Sequence, residues 1–142
     1  MKKIMMLHCV NHNMYGKRDP EQYGTITLDE INELIAQTAK ETGIQVDTFQ
    51  SNHEGEMVDK IHQVFYEKYD GVIINPGAWT HYNYAIHDAL EILECPILEV
   101  HMSNIFNRED FRSHSVIAPV AAGMIAGMGE SAYTLAVKAF GE

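Results

Sequence analysis

Short apolar runs alternate with longer amphipathic segments along the whole chain, and this alternation constrains the fold more than any other feature of the sequence. Apolar runs at 4–10, 71–75 and 97–100 are typical of parallel strands buried on both faces. A segment at 44–49 alternates apolar and polar residues as a strand does, and 116–126 contains a fifth strand. Because helical segments separate these strands, we predict an α/β fold whose five-stranded parallel sheet carries helices on both faces.

Local signals mark where the helices begin. Residues 27–30 (TLDE) and 51–54 (SNHE) each place a hydroxyl three residues before a glutamate, as a capping box requires. A further helix is predicted to begin at Thr80 or His81, and the last one spans Ser131 to Phe140. Between the first strand and the first helix, the polar residues 11–24 are predicted to form a loop, which is long enough to act as a lid.

Length and charge limit the kinds of partner that we expect. The 142 residues fit one domain, 1–142, and a net charge of −10 repels phosphate backbones, so no nucleic acid is expected. No apolar run approaches 18 residues and no signal-peptide core is present, so we expect a cytoplasmic protein that does not bind a membrane. Cys9 and Cys95 lie far apart in sequence, each in an apolar run, and are interpreted as buried free thiols.

Motifs for bound metals or nucleotides do not occur in the sequence. There is no HExxH or CxxC, and His81 and His87 are six residues apart, which does not place them on one helix face. Neither GxGxxG nor GxxxxGK[ST] follows the first strand. We therefore expect no metal and no cofactor.

Polar residues gather where the predicted strands end. In open parallel sheets ligands bind outside the carboxyl ends of the strands, which fall here at 8–11, 50–53, 75–77 and 99–103. Arginines are scarce in this acidic protein, yet three lie in loops beside these ends. They are either solvated surface charges or donors to an anionic or polar substrate: Arg18, Arg108 and Arg112.

Two local pairs can carry acid–base chemistry. Arg18 shares the long loop with Tyr23, and a guanidinium beside a phenol favours the phenolate, which can act as a base. Glu99 and His101 lie on the same side of a strand, where the carboxylate would stabilise the charged imidazole that a general acid needs. Taken alone, the first pair is a weak signal and the second more often marks the polar end of a strand.

Asn75 ends a strand with a side-chain amide, and His81 follows one turn later at a predicted helix start. Free N–H groups and the helix dipole favour an anion at such a place. Ordinary helix capping explains these residues equally well.

Several blocks of the sequence resemble type II 3-dehydroquinate dehydratases, in order and at that family's spacing over nearly the whole chain. The blocks are GKRDPEQYG (16–24), FQSNHEGE (49–56), NPGAWTH (75–81), EVHMSN (99–104), REDFRSHS (108–115) and IAPVAAGMIAGMG (117–129). The resemblance implies a flavodoxin-like fold and the removal of water from 3-dehydroquinate, through an enolate, to give 3-dehydroshikimate. It also implies trimers assembled into a homododecamer.

The resemblance assigns a role to each matched residue. Tyr23 would be the base and Arg18 would favour its phenolate, while Asn11 would hold a water that stabilises the enolate. His101, oriented by Glu99, would protonate the departing hydroxyl. The substrate would be an anionic cyclic keto acid. Its carboxylate would be bound by Asn75 and the N–H groups of Met102 and Ser103, and its ring hydroxyls by His81 and Arg112. Asp88 would reach the site of a neighbouring subunit.

The sequence also departs from the family pattern. The first strand usually ends NGPNLN but here reads HCVNHN (8–13), and His87 stands where arginine is usual. These departures keep two other readings open: an enzyme that dehydrates another cyclic polyhydroxy keto acid, and a non-catalytic binding protein with the same fold. The residues do not separate a biosynthetic role in the shikimate pathway from a catabolic role in quinate use.

Overall fold

A five-stranded parallel sheet forms the centre of the protein, as a computed structural model shows for residues 1–141. The strands are β1 (Lys3–His8), β2 (Gln45–Gln50), β3 (Gly71–Asn75), β4 (Ile97–His101) and β5 (Gly123–Ala126). They are ordered β2-β1-β3-β4-β5, and every neighbouring pair is parallel. This is the strand order of flavodoxin-like folds, so the predicted fold class is confirmed.

Helices cover both faces of the sheet because the strand side chains alternate between two apolar cores. One core joins Met5 and Leu7 to α3 (Glu54–Tyr66) and α4 (Tyr84–Glu91). The other joins Ile4 and Met6 to α2 (Leu28–Thr42) and α5 (Ser131–Gly141). Within residues 1–141, no helix combines the length and the apolar character that a membrane crossing requires.

One predicted capping box is confirmed and the other is wrong. Thr27 and Glu30 cap α2 reciprocally. Ser51 does not begin α3, since its N–H still pairs with the carbonyl of His8 and so extends the pairing of β2 with β1. Its hydroxyl accepts the N–H of His53 at 2.9 Å and donates to Glu56 at 2.5 Å. The helix therefore begins only at Glu54.

Helix α4 also begins later than predicted. Residues Gly77–His81 form a 3-10 turn, and α4 starts at Tyr84, where the side chain of Asn83 accepts the N–H of Ile86 at 2.9 Å. The hydroxyl of Thr80 donates to Glu99 at 2.7 Å, which ties this turn to the end of β4 instead of to a helix. The turn thereby becomes part of the candidate site.

The segment after β1 is more ordered than the predicted loop. Strand β1 stops at His8, two residues earlier than expected, and a 3-10 turn follows at His12–Met14. A four-residue helix, α1 (Pro20–Tyr23), follows. It is capped by Asp19, whose side chain accepts the N–H of Glu21 at 3.0 Å. This short helix carries Tyr23 over the carboxyl edge of the sheet.

Candidate active site

Two guanidinium groups donate hydrogen bonds to the phenol oxygen of Tyr23. Arg18 Nη2 lies 3.1 Å from Tyr23 Oη and Arg108 Nη1 lies 2.9 Å from it. The guanidinium of Arg18 also packs on the phenol ring, with its carbon 4.0 Å from the ring centroid. Both neighbours are permanent cations and donors, so they can hold this oxygen when it carries a negative charge. The phenolate is the form that can accept a proton from a substrate.

An imidazole backed by a buried carboxylate forms a second chemical group. His101 Nε2 donates to Glu99 Oε2 at 2.6 Å, and the carboxylate is completely buried. Thr80 donates to it at 2.7 Å and Ser115 at 3.0 Å, so its charge is stabilised without solvent. Since Nε2 is bound to Glu99, Nδ1 is the ring nitrogen left to face a ligand. The ring could therefore release a proton from Nδ1 to a ligand while Nε2 stays bound to Glu99.

The backbone beyond β4 offers two buried N–H donors. Within residues 1–141, neither the N–H of Met102 nor that of Ser103 has a backbone or side-chain acceptor, although both residues are buried. Arg108 Nη1, which binds Tyr23, also lies 3.2 Å from the hydroxyl of Ser103. Adjacent N–H groups next to a guanidinium suit an oxyanion such as a carboxylate.

His81 and Arg112 lie beside each other at the rim. His81 Nδ1 donates to the carbonyl of His114 at 2.8 Å, which leaves Nε2 for the cleft. Burial, together with the charges of His101 and Arg112, lowers the pKa of His81, so its ring is neutral at pH 7 and Nε2 accepts hydrogen bonds. Arg112 is paired with Glu109 through Nε. The two residues therefore offer an acceptor and a cation to hydroxyl groups.

The side chain of Asn75 is already hydrogen-bonded on both of its ends. Its amide donates to Tyr15 Oη at 3.1 Å and to Tyr133 Oη at 2.8 Å, and its carbonyl accepts the N–H of Gly77 at 3.2 Å. Burial raises the pKa of Tyr15 well above its usual value and that of Tyr133 to about 12, so both hydroxyls stay protonated. A direct bond from Asn75 to a substrate carboxylate, which stays a prediction, would replace one of the tyrosines.

One cleft unites most of the predicted residues. It is lined by Arg18, Tyr23, Asn75, His81, His101, Met102, Ser103 and Arg112, with Glu99 directly behind His101. Asn11 does not line it: this residue is exposed, has a left-handed backbone (φ 70°), and its N–H donates to the side-chain oxygen of Asn52 at 2.9 Å. Asp88 is exposed on α4 and does not line it either. Their predicted roles stay predictions.

Residues that the sequence analysis left out of the site also line the cleft. Arg108 was named only as a surface charge or a possible substrate donor and was given no role by the resemblance, although it lies in the REDFRSHS block that matched the family. His12 and Tyr15 line the cleft as well, and the hydroxyls of Thr80 and Ser115 hold Glu99. Thr80 and Ser115 also belong to matched blocks, so the matched blocks contained a signal for three of these five residues.

Outside the cleft, one group of side chains has the composition of a weak metal site. His87, Asp88 and Glu91 on α4 bring one ligand atom each within 4.8 Å of one another. His87 Nδ1 donates to the carbonyl of Val116 at 2.6 Å, and both carboxylates are exposed. Exposed acidic groups cluster in this way without an ion, so the group does not indicate a metal.

Comparisons with known proteins show which family the chain resembles. The family described as Dehydroquinase class II matches residues 2–141. A protein of Pelobacter propionicus named 3-dehydroquinate dehydratase is 56% identical over 142 residues, covering 100% of this chain and 95% of that protein. One from Leptothrix cholodnii with the same name is 57% identical over 136 residues, covering 96% and 91%.

A solved structure is similar over the same range. The crystal structure of the type II dehydroquinase from Propionibacterium acnes superposes with a TM-score of 0.96 at 41% identity, covering 99% of this chain and 97% of that one. With the family match, the named relatives and the fold in agreement over nearly the full length, the chain belongs to the dehydroquinase class II family.

Proposed function

We propose that the protein dehydrates 3-dehydroquinate to 3-dehydroshikimate. One observation carries this proposal: a single cleft holds a phenol between two guanidinium groups and an imidazole backed by a buried carboxylate. The phenol with its guanidinium neighbours is suited to remove a proton, and the imidazole with its carboxylate is suited to deliver one. An elimination of water requires both. The relatives named 3-dehydroquinate dehydratase support the choice of substrate.

The first step is the removal of a proton from C2 of the substrate. Tyr23, as the phenolate, takes the proton, and the electron pair of the C–H bond moves toward the C3 carbonyl to form an enolate. Arg18 and Arg108 hold the phenolate through hydrogen bonds of 3.1 and 2.9 Å. Both arginines are cations at every accessible pH, so they would hold the phenolate throughout this step.

The second step expels the hydroxyl group from C1. Electrons return from the enolate to form the C1–C2 double bond while the C–O bond breaks. His101 gives its Nδ1 proton to the departing oxygen, which leaves as water, and Glu99 stabilises the imidazolium beforehand. Tyr23 ends with one proton more and His101 with one fewer, so proton exchange with solvent restores both.

Donors at the end of β4 would hold the substrate carboxylate. The N–H groups of Met102 and Ser103 have no other acceptor within residues 1–141, and Arg108 lies next to them. His81 and Arg112 at the rim would bind ring hydroxyls. This arrangement would bring C1, which carries both the carboxylate and the leaving hydroxyl, beside His101.

The product provides a direct assay, since the new double bond is conjugated with the ketone and absorbs in the ultraviolet. Purified protein mixed with 3-dehydroquinate should give a steady absorbance rise. A panel of related cyclic polyhydroxy keto acids, ranked by kcat/KM, should place 3-dehydroquinate first. Thermal stabilisation by 3-dehydroquinate without any absorbance rise would mean a non-catalytic binding protein and would refute the proposal.

We further propose that the chains assemble as trimers grouped into a homododecamer, with Asp88 of one chain completing the cleft of a neighbour. Support comes from the exposed position of Asp88 on α4, outside its own cleft. Sedimentation or light scattering should give the mass of twelve chains of 16.1 kDa. A monomer that turns over substrate at full rate would contradict the assembly and the role of Asp88 together.

A further inference from the structure

His12 is a buried polar ring in the wall of the cleft that the two proposed steps leave unused. It lies in the 3-10 turn after β1, and only 1% of it is exposed. Its ring stacks on Tyr15, with centroids 4.9 Å apart and planes inclined by 7°. The imidazole is therefore held in one orientation, and the question is which of its two nitrogens faces a ligand.

The hydrogen-bond pattern fixes the proton on Nε2. The N–H of Cys9 lies 3.1 Å from His12 Nδ1 and is shared with the carbonyl of Asn75 at 3.2 Å. Because an amide N–H can only donate, Nδ1 carries no hydrogen. Burial, followed by the charges of His8, Arg18 and His101, lowers the pKa of His12 well below its usual value. At neutral pH the ring is uncharged, and Nε2 carries its single hydrogen.

That Nε2–H group opens into the cleft. Within residues 1–141, His12 Nε2 has no hydrogen-bond acceptor. It is nevertheless accessible from the cleft, because His8 Nδ1 is the only side-chain nitrogen or oxygen there that is both fully enclosed and without a partner. It lies over Gly77, where a Cβ atom would come within 3.1 Å of Nε2. Gly77 has a φ of +60°, a backbone conformation that favours glycine, and as a glycine it has no side chain that would cover Nε2. The cleft thus contains a fixed neutral donor beside Gly77.

The strand order indicates which substrate oxygen this donor would meet. In the proposed binding mode, His101, Met102 and Ser103 would hold the C1 end of the substrate at β4, whereas His12 follows β1, with β3 between the two strands. Two strand spacings are roughly 10 Å. A six-membered ring that lies across the end of β3 could bridge about that distance, if one of its oxygens is hydrogen-bonded on the β4 side and another on the β1 side. With C1 at β4 and C2 on the side of Tyr23, the C3 oxygen would point toward β1.

We propose that His12 is a substrate-contacting residue whose Nε2–H donates to the C3 oxygen and stabilises it as the enolate forms. The inference rests on the proposed dehydration and deepens it. The C3 oxygen is a neutral carbonyl in the substrate and becomes an anion when C2 loses its proton. A preorganised donor at this position stabilises the transition state more than the ground state, so its removal lowers kcat more than it weakens binding.

The test compares His12→Leu with His12→Gln. Leucine removes the donor and fits a family pattern that reads NLN at these positions, whereas glutamine can keep an N–H near the place of Nε2. His12→Leu should lower kcat by about 10- to 100-fold with little change in KM. Its isotope effect with C2-deuterated substrate should rise, because proton removal becomes slower. His12→Gln should recover most of the rate, and the exposed His62→Leu on α3 should match wild type.

Each outcome decides between the two proposals. If wild type turns over and His12→Leu keeps its full kcat, or loses only affinity, the role of His12 is refuted while the dehydratase stands. If His12→Gln folds with an unchanged melting temperature but is as slow as His12→Leu, the N–H donor is refuted. If wild type itself shows no turnover, the dehydration fails and the role of His12 fails with it.

Discussion

Replacing Tyr23 by phenylalanine should lower kcat by about two to four orders of magnitude while the Kd for the product changes little. Phenylalanine keeps the ring that packs against Arg18 and lies 5.8 Å from the ring of Tyr15. It removes only the oxygen that Arg18 and Arg108 hold. Rates from the absorbance assay and affinities from calorimetry separate the loss of the base from a loss of binding.

The exposed Tyr66 provides the matched control for this substitution. It ends α3 at the opposite edge of the sheet and is 78% exposed, so Tyr66→Phe should leave both kcat and Kd unchanged. Tyr23→Phe turning over at close to the wild-type rate would remove Tyr23 from the role of base and would require another proton acceptor in the cleft.

Replacing His101 by asparagine should have an effect of similar size, about two to four orders of magnitude in kcat, because hydroxide is a poor leaving group when no acid protonates it. Asparagine keeps a polar side chain beside Glu99 but has no proton to release. Glu99→Gln should lose less, since the imidazole remains and only the carboxylate that stabilises its charge is absent. The exposed His62→Asn on α3 serves as the control.

A substrate analogue with fluorine in place of the C1 hydroxyl distinguishes the role of His101 as the acid from that of Tyr23 as the base. Fluoride needs much less protonation to leave than hydroxide does, so the deficit of His101→Asn should shrink with this analogue, while that of Tyr23→Phe should not. If the two variants respond alike, His101 does not act as the acid of the second step.

Much of the fold could be predicted because its signals are local. The run at 71–75 predicted β3 with both of its bounds, and the pairing of Thr27 with Glu30 predicted the start of α2. The errors occurred where a tertiary contact outweighs a local one. Ser51 has the right spacing to Glu54 for a capping box, but its N–H pairs with His8 across the sheet. A local pattern contains no information about that partner.

The site residues also differ in how far they could be predicted, depending on whether their partners are close in sequence. Tyr23 and Arg18 are five residues apart, and Glu99 and His101 are two apart, so their spacing alone raised them as candidates. Arg108 is 85 residues from Tyr23, and only the folded chain brings them into contact. The cleft-facing position of His12 depends on one shared N–H from Cys9 and on the space above Gly77. Periodicity cannot indicate either.

Helix α1 buries none of its four residues, and this has a thermodynamic consequence for the enzyme. The bond from Arg108 to Tyr23 joins this helix to the loop beyond β4, so the donor that contacts the proposed base also attaches the helix to the rest of the chain. A substitution at Arg108 would therefore remove a hydrogen bond from Tyr23 and weaken the attachment of α1 at the same time.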